Sequence, residues 1–137
     1  MNILSEHYHI PFGPYLAKMK VDLDFCKRLL KAGKKSTVSH HKYLAGQIQH
    51  EYVYDLGKHP WIEEEFKIYI NTWIDGFRKF SENPDYDPKH KLTQMWVNFQ
   101  KSKEYNPIHV HTRCDLSFVL FLTVPKKMLK EKRTSNG

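Results

Sequence analysis

Two histidines separated by one residue, His109-Val110-His111, are the group in this chain whose type and spacing most directly suit chemistry. In an extended segment, side chains two apart leave the backbone on the same side, and the strand rise sets their Cα atoms roughly 6.5 Å apart. Two imidazoles so placed can bind one metal ion. A non-haem Fe(II) oxygenase uses two histidines and a carboxylate on one face of the metal, leaving the remaining positions for cosubstrate and dioxygen. In a chain with nine histidines an HxH pair also arises by chance on a solvated surface, so the surrounding residues must decide. Asp115 is a nearby carboxylate, either a ligand or a solvated turn residue. Cys114 opens a different option, a zinc-binding module of His109, His111 and Cys114 with one further ligand, because nitrogen and sulfur donors suit zinc.

The elements that must carry these residues follow from periodicity. Leu92 to Lys101 alternates, with Leu92, Gln94, Trp96, Asn98 and Gln100 on one face and Thr93, Met95, Val97 and Phe99 on the other, as in a strand with one mostly apolar face. Ser102 to Pro107 reads as a turn and Ile108 to Thr112 as a second extended run. Leu116 to Val124 is nearly all apolar and rich in Phe and Val, which predicts a strand buried on both faces, so the C-terminal third reads as a small β-meander. Asn98, Gln100 and Ser117 are candidates to line a cosubstrate pocket. Their structural alternatives are packing, or a side-chain hydrogen bond that ties down the adjacent turn.

Upstream, Ile62, Phe66, Ile70, Trp73, Ile74 and Phe77 recur at three- and four-residue steps between Pro60 and Phe80, with Glu63, Glu64 and Glu65 near the positive N-terminal end. That is the strongest helix of the chain; Pro84 and Pro88 end it, and Trp61 and Trp73 belong to its core side. A shorter helix carries Phe25, Leu29 and Leu30, capped by Asp22 or Asp24 and stopped by Gly33. The first 20 residues, with Ile3, Leu4, Ile10 and Phe12 among Pro11, Gly13 and Pro14, suit an extended edge segment. Residues 36–58, which include Tyr43 and Leu44, read as loop with one turn of strand.

A hydrophobic content of 40% is too high for a disordered chain, and the length suits one domain. No apolar run reaches the roughly 18–20 residues of a membrane span, and the opening Met-Asn-Ile-Leu-Ser-Glu-His lacks a leader's basic and apolar regions, so a cytoplasmic protein is expected. Cys26 and Cys114 lie far apart and indicate no disulfide framework. The net charge is +7, and its basic clusters, Lys31, Lys34 and Lys35 and then Lys126, Lys127, Lys130, Lys132 and Arg133, lack interleaved aromatics. A basic nucleic-acid-binding accessory protein is therefore a third reading, with nucleic acid disfavoured as a partner.

The segment from Leu92 to Pro125 resembles the 2-oxoglutarate/Fe(II)-dependent oxygenases of tailed bacteriophages and marine bacteria, an HxH-containing and prolyl-hydroxylase-like family. The matching elements are Trp96-Val97-Asn98-Phe99-Gln100-Lys101, Glu104-Tyr105-Asn106-Pro107, His109-Val110-His111, and Leu116-Ser117-Phe118-Val119 running to Val124-Pro125. The resemblance implies Fe(II) as metal, 2-oxoglutarate as cosubstrate, hydroxylation of an unknown substrate, and a host cytoplasm if the chain is phage-encoded. His109 and His111 fall on the family's HxH, where related oxygenases have His-x-Asp.

The implied fold class is α+β, with N-terminal helices packed on an incomplete double-stranded β-helix (jelly-roll) sheet. One domain would span 1–137, with a flexible basic tail at 126–137. Thr112-Arg113-Cys114-Asp115 is longer than the family's connection to the Leu-Ser strand, which could shift the register. Family members continue for several strands past Val-Pro, bringing a distal histidine ligand and the basic residue that binds the far carboxylate of 2-oxoglutarate. Here the chain runs only from Lys126 to Gly137. The expectation is a chain inactive alone unless a partner or a second copy supplies the missing strands, with exposed sheet edges able to form a homo-oligomer.

Overall fold

Asp22 begins the first helix, α1 (Leu23–Lys35), by accepting hydrogen bonds from the amides of Asp24 and Phe25 at 3.0 and 2.9 Å, two donors that a helix start leaves without partners. The structure is a computed structural model that describes residues 6–9, 13–40 and 46–131. Ile3, Leu4, Ile10, Phe12, Tyr43, Leu44 and residues 132–137 of the tail lie outside the described residues. Before α1, β1 (Glu6–His9) and β2 (Leu16–Met19) pair antiparallel, with Glu6 opposite Met19 and His9 opposite Leu16. The second sheet pairs β3 (Glu51–Val53) with β4 (Trp96–Asn98), Glu51 opposite Asn98 and Val53 opposite Trp96. Between them runs α2 (Pro60–Phe80), with proline at its start, where the missing N–H costs nothing. A last helix, α3, covers Lys126–Glu131. The class is α+β, and the described residues hold two two-stranded sheets and no larger one.

The core lies where α1 and α2 meet the β3–β4 pair. Phe25, Leu29 and Ile62 are fully buried, and Phe66, Tyr69, Leu92, Met95 and Val97 close around them. Each such apolar side chain contributes about 1.5–3 kcal/mol on leaving water. Phe25 meets Phe66 edge-on with centroids 5.2 Å apart, and Arg28 bridges the helices by pairing with Glu65 and lying 4.9 Å over the Trp61 ring. At the far end of α2, Tyr15 packs on Trp73 and Phe80, holding β2 to the helix. Arg78 then donates to the Tyr86 carbonyl and to Asp87, pinning the proline loop that the sequence placed there.

Several expectations are corrected. Gly33 does not stop α1, which continues to Lys35 and is capped at Ser36. A Cβ on Gly33 would lie 2.8 Å from the Tyr54 hydroxyl and 3.0 Å from a Val97 methyl, so glycine is where the sheet crosses the helix closely. The strand over Leu92 to Lys101 shortens to β4, because β3 offers only three residues to pair with; single bonds from Tyr54 N to Met95 O and from Phe99 N to His50 O extend the pairing at either end. Its alternation holds from Gln94 on, with Met95 and Val97 buried and Gln94 and Gln100 exposed, but Leu92 is buried and Thr93 exposed, the reverse of the expected faces.

Neither Ile108 to Thr112 nor Leu116 to Val124 forms a strand, and the C-terminal β-meander is absent from the described residues. A strand exists only by hydrogen bonding to a neighbour, and no described strand lies beside these segments. Instead of two-sided burial, Leu116 to Val124 leans one row on the core. Phe118 stacks within 4.6 Å of Phe66, and Leu120 and Leu122 pack behind it, while Val119 and Phe121 remain 81% and 76% exposed. The flexible basic tail expected from 126 is, through Glu131, the helix α3.

The Gly33 contact fixes a testable balance. Alanine would gain roughly 1 kcal/mol of helix propensity, but the two contacts oppose it with an overpacking cost of about 1–3 kcal/mol. Gly33→Ala should therefore lower the unfolding free energy in urea, and Tyr54→Phe in the same background should recover part of the loss by removing the nearer atom. Burial also pushes the Tyr54 hydroxyl from 10.0 up to about 12. Because the folded state holds this proton more tightly, the stabilisation is complete below pH 10 and is lost as pH rises toward 12. Tyr54→Phe should accordingly flatten the alkaline limb of a stability profile.

Candidate metal centre

The turn after β4 is built by one carboxylate. Glu104 accepts the Lys101 amide at 2.7 Å and the Gln49 amide at 3.3 Å, joining the turn to the loop before β3. Gln100 donates its side-chain amide to the Glu104 carbonyl at 2.6 Å, the structural alternative weighed for it in the sequence. Gln47 N donates to the Tyr105 carbonyl at 2.8 Å and ties the next residue down as well. The turn thus delivers Pro107 and the two histidines from a fixed base.

His109 and His111 are both exposed, and their rings converge rather than splay. The centroids are 4.9 Å apart with planes at 71°, and the two Nε2 atoms stand 3.2 Å apart. His109 Nδ1 is 2.7 Å from the Pro107 carbonyl. A carbonyl only accepts, so this nitrogen carries the proton and His109 Nε2 presents a lone pair toward His111. An imidazole whose Nδ1–H is held by a backbone carbonyl is oriented as metal-ligating histidines usually are. Nitrogens about 2.1 Å from one cation stand roughly 3.0 Å apart at octahedral angles and roughly 3.4 Å at tetrahedral ones, so the observed separation fits a shared ion. The plain alternative is a single hydrogen bond in which His111 Nε2–H donates to His109 Nε2.

Trp96 backs the pair. Its ring centroid is 6.0 Å from that of His111 and 5.8 Å from that of His40, and Gln94 donates to His40 Nε2 at 3.0 Å. His40 was not singled out by spacing; its amide donates to the Glu51 carbonyl, and the Ser39–Tyr52 bridge brings this stretch alongside β3. On the strand's far side His50 lies 3.3 Å from the Tyr52 hydroxyl through Nδ1 and 3.0 Å from Lys101 Nζ through Nε2. The two-residue step from His50 to Tyr52 is the sequence signal for this contact.

Among the described residues no three His, Cys, Asp or Glu side chains gather around one point, so neither Asp115 nor Cys114 joins the histidine pair. Both are exposed, as is Ser117. Asn98 stands half-buried on β4 with its side-chain oxygen buried and without a hydrogen-bond partner.

Scans against protein-family models, curated proteins and solved structures find no significant match. Among the described residues no helix is long and apolar enough to cross a membrane.

The turn makes its own prediction. The amide bonds, that of Lys101 foremost, hold the Glu104 carboxyl below its ordinary value of 4.5. Its stabilising contribution is present above that value and is lost as pH falls through the lowered one. Glu104→Gln should therefore lower the urea midpoint in the neutral region, leave the acid end little changed, and so flatten the acid limb of the profile.

Proposed function

We propose that this chain is a homologue of the Fe(II)/2-oxoglutarate-dependent oxygenases, with His109 and His111 as the two-histidine arm of its iron site and a substrate of undetermined class. The observation that carries the reading is the pair of Nε2 atoms 3.2 Å apart, with the His109 tautomer set by the Pro107 carbonyl. Imidazole nitrogens suit ferrous iron as they suit other first-row divalent ions. The resemblance of Leu92 to Pro125 selects iron among them.

The fit of the donor set is partial. The described residues supply two positions on the ion, and a third ligand is not gathered with them. Fe(II) bound with 2-oxoglutarate would supply the oxidising chemistry of such an enzyme. What this chain contributes is the orientation of two ring nitrogens and the Trp96 surface behind them. A jelly-roll sheet completed around this arm belongs to the same proposal. The zinc-module reading gains nothing from Cys114, which stands apart from the histidines.

Anaerobic addition of Fe(II) and then 2-oxoglutarate to the full chain tests the proposal. The expected result is a visible charge-transfer band from the chelated cosubstrate, abolished in both His109→Ala and His111→Ala and kept in Cys114→Ala. Iron binding that survives the loss of both histidines, or no band at any cosubstrate concentration, would overturn it.

A further inference from the structure

Ile108 and Val110, the residues flanking His109, are 106% and 84% exposed, so nothing in the described chain covers the apolar side chains around the two imidazoles. The pair thus sits as a two-ligand fragment on an uncovered apolar tip, and among the described residues no third metal-ligating group stands near it. A divalent ion such as zinc or cobalt in protein sites commonly takes four ligands. One chain offers two of them.

The geometry points to a second copy of this chain as the other half of the site, with two His109–His111 pairs meeting across a two-fold axis around one divalent ion. A two-fold interface is isologous, so whatever one copy presents the other returns in the same geometry, and two pairs make four nitrogens with no further residue needed. The 3.2 Å separation lies between the octahedral and tetrahedral spans and admits four-coordination. Ile108 and Val110, which flank His109 along the backbone, then lie close to the axis in each copy. Against this stands a net charge of +7 on each copy, to which the ion adds. Repulsion of that kind acts over a Debye length of about 8–10 Å and is weakened by salt. The ligand bonds must hold the dimer, and added sodium chloride should tighten it. The inference rests on His109 and His111 binding a metal, though on neither iron nor 2-oxoglutarate.

Cobalt(II) chloride titrated into the full chain, followed by visible spectroscopy, metal analysis and sedimentation velocity, tests it. The expected outcome is a doubled mass that appears only with the metal, one cobalt per two chains, and the intense visible bands of four-coordinate cobalt. Val110→Lys keeps all four imidazoles but sets like charges beside the axis, and should weaken the dimer at least tenfold while each chain keeps its fold by circular dichroism. One cobalt per monomeric chain would overturn the shared site and leave the metal arm of the proposed function standing. A chain that binds no cobalt overturns both. A dimer that forms equally without metal, or that Val110→Lys leaves unchanged, overturns the four-histidine arrangement.

Discussion

Tyr54 joins the three parts of the structure on which everything else rests. Its hydroxyl donates to the Leu29 carbonyl at 3.0 Å, reaching α1, while its amide donates to the Met95 carbonyl at 2.9 Å, reaching the start of β4. The ring fits because Gly33 has no side chain to meet it. Burying a phenol without a partner would cost several kcal/mol, so the Leu29 bond decides that the ring stays inside. With β4 fixed against α1 in this way, Trp96 is held at the sheet face, and it is Trp96 that the His111 ring lies beside. The position of the candidate metal centre is inherited from a hydrogen bond made far from it in sequence.

Beyond the turn at Glu104 the support changes character. Up to Pro107 the backbone is held by bonds to the loop before β3; beyond the histidine pair, a row of apolar contacts lays the chain on the core. Phe118, Leu120 and Leu122 find the core, but Val119 and Phe121 face water, and the segment has no strand partner among the described residues. Such a stretch combines unpaired backbone with uncovered apolar surface, the two features that favour association with another chain. The order of the histidine pair therefore owes most to its local bonds, above all that between His109 and the Pro107 carbonyl.

Much of this was legible in the sequence, and the reasons are local. The α2 stripe, its proline start and its proline-rich end each depend on residues within a few positions, and all appear where the spacing put them. Asp22 caps α1 through bonds to its next neighbours. The inward face of Met95 and Val97 follows from alternation, and the convergence of His109 and His111 follows from their spacing even though no strand carries them. What failed was tertiary. Gly33 has the composition of a helix stop, and only the approach of Tyr54 and Val97 gives it another role. Leu116 to Val124 has the composition of a strand buried on both sides, but burial on two faces requires two neighbours, which a single segment cannot announce. Asp115 is near the histidines in sequence, yet among the described residues it completes no three-residue ligand group with them.

The central claim is that His109 offers an Nε2 lone pair which, with that of His111, can hold one cation. Long-range proton–nitrogen correlation spectra of the imidazoles, recorded before and after one equivalent of zinc(II), address it directly. The account predicts His109 protonated on Nδ1 before the metal is added, and large zinc-induced shifts of Nε2 in both rings together. A His109 ring protonated on Nε2, or zinc shifting one ring and not the other, would contradict it.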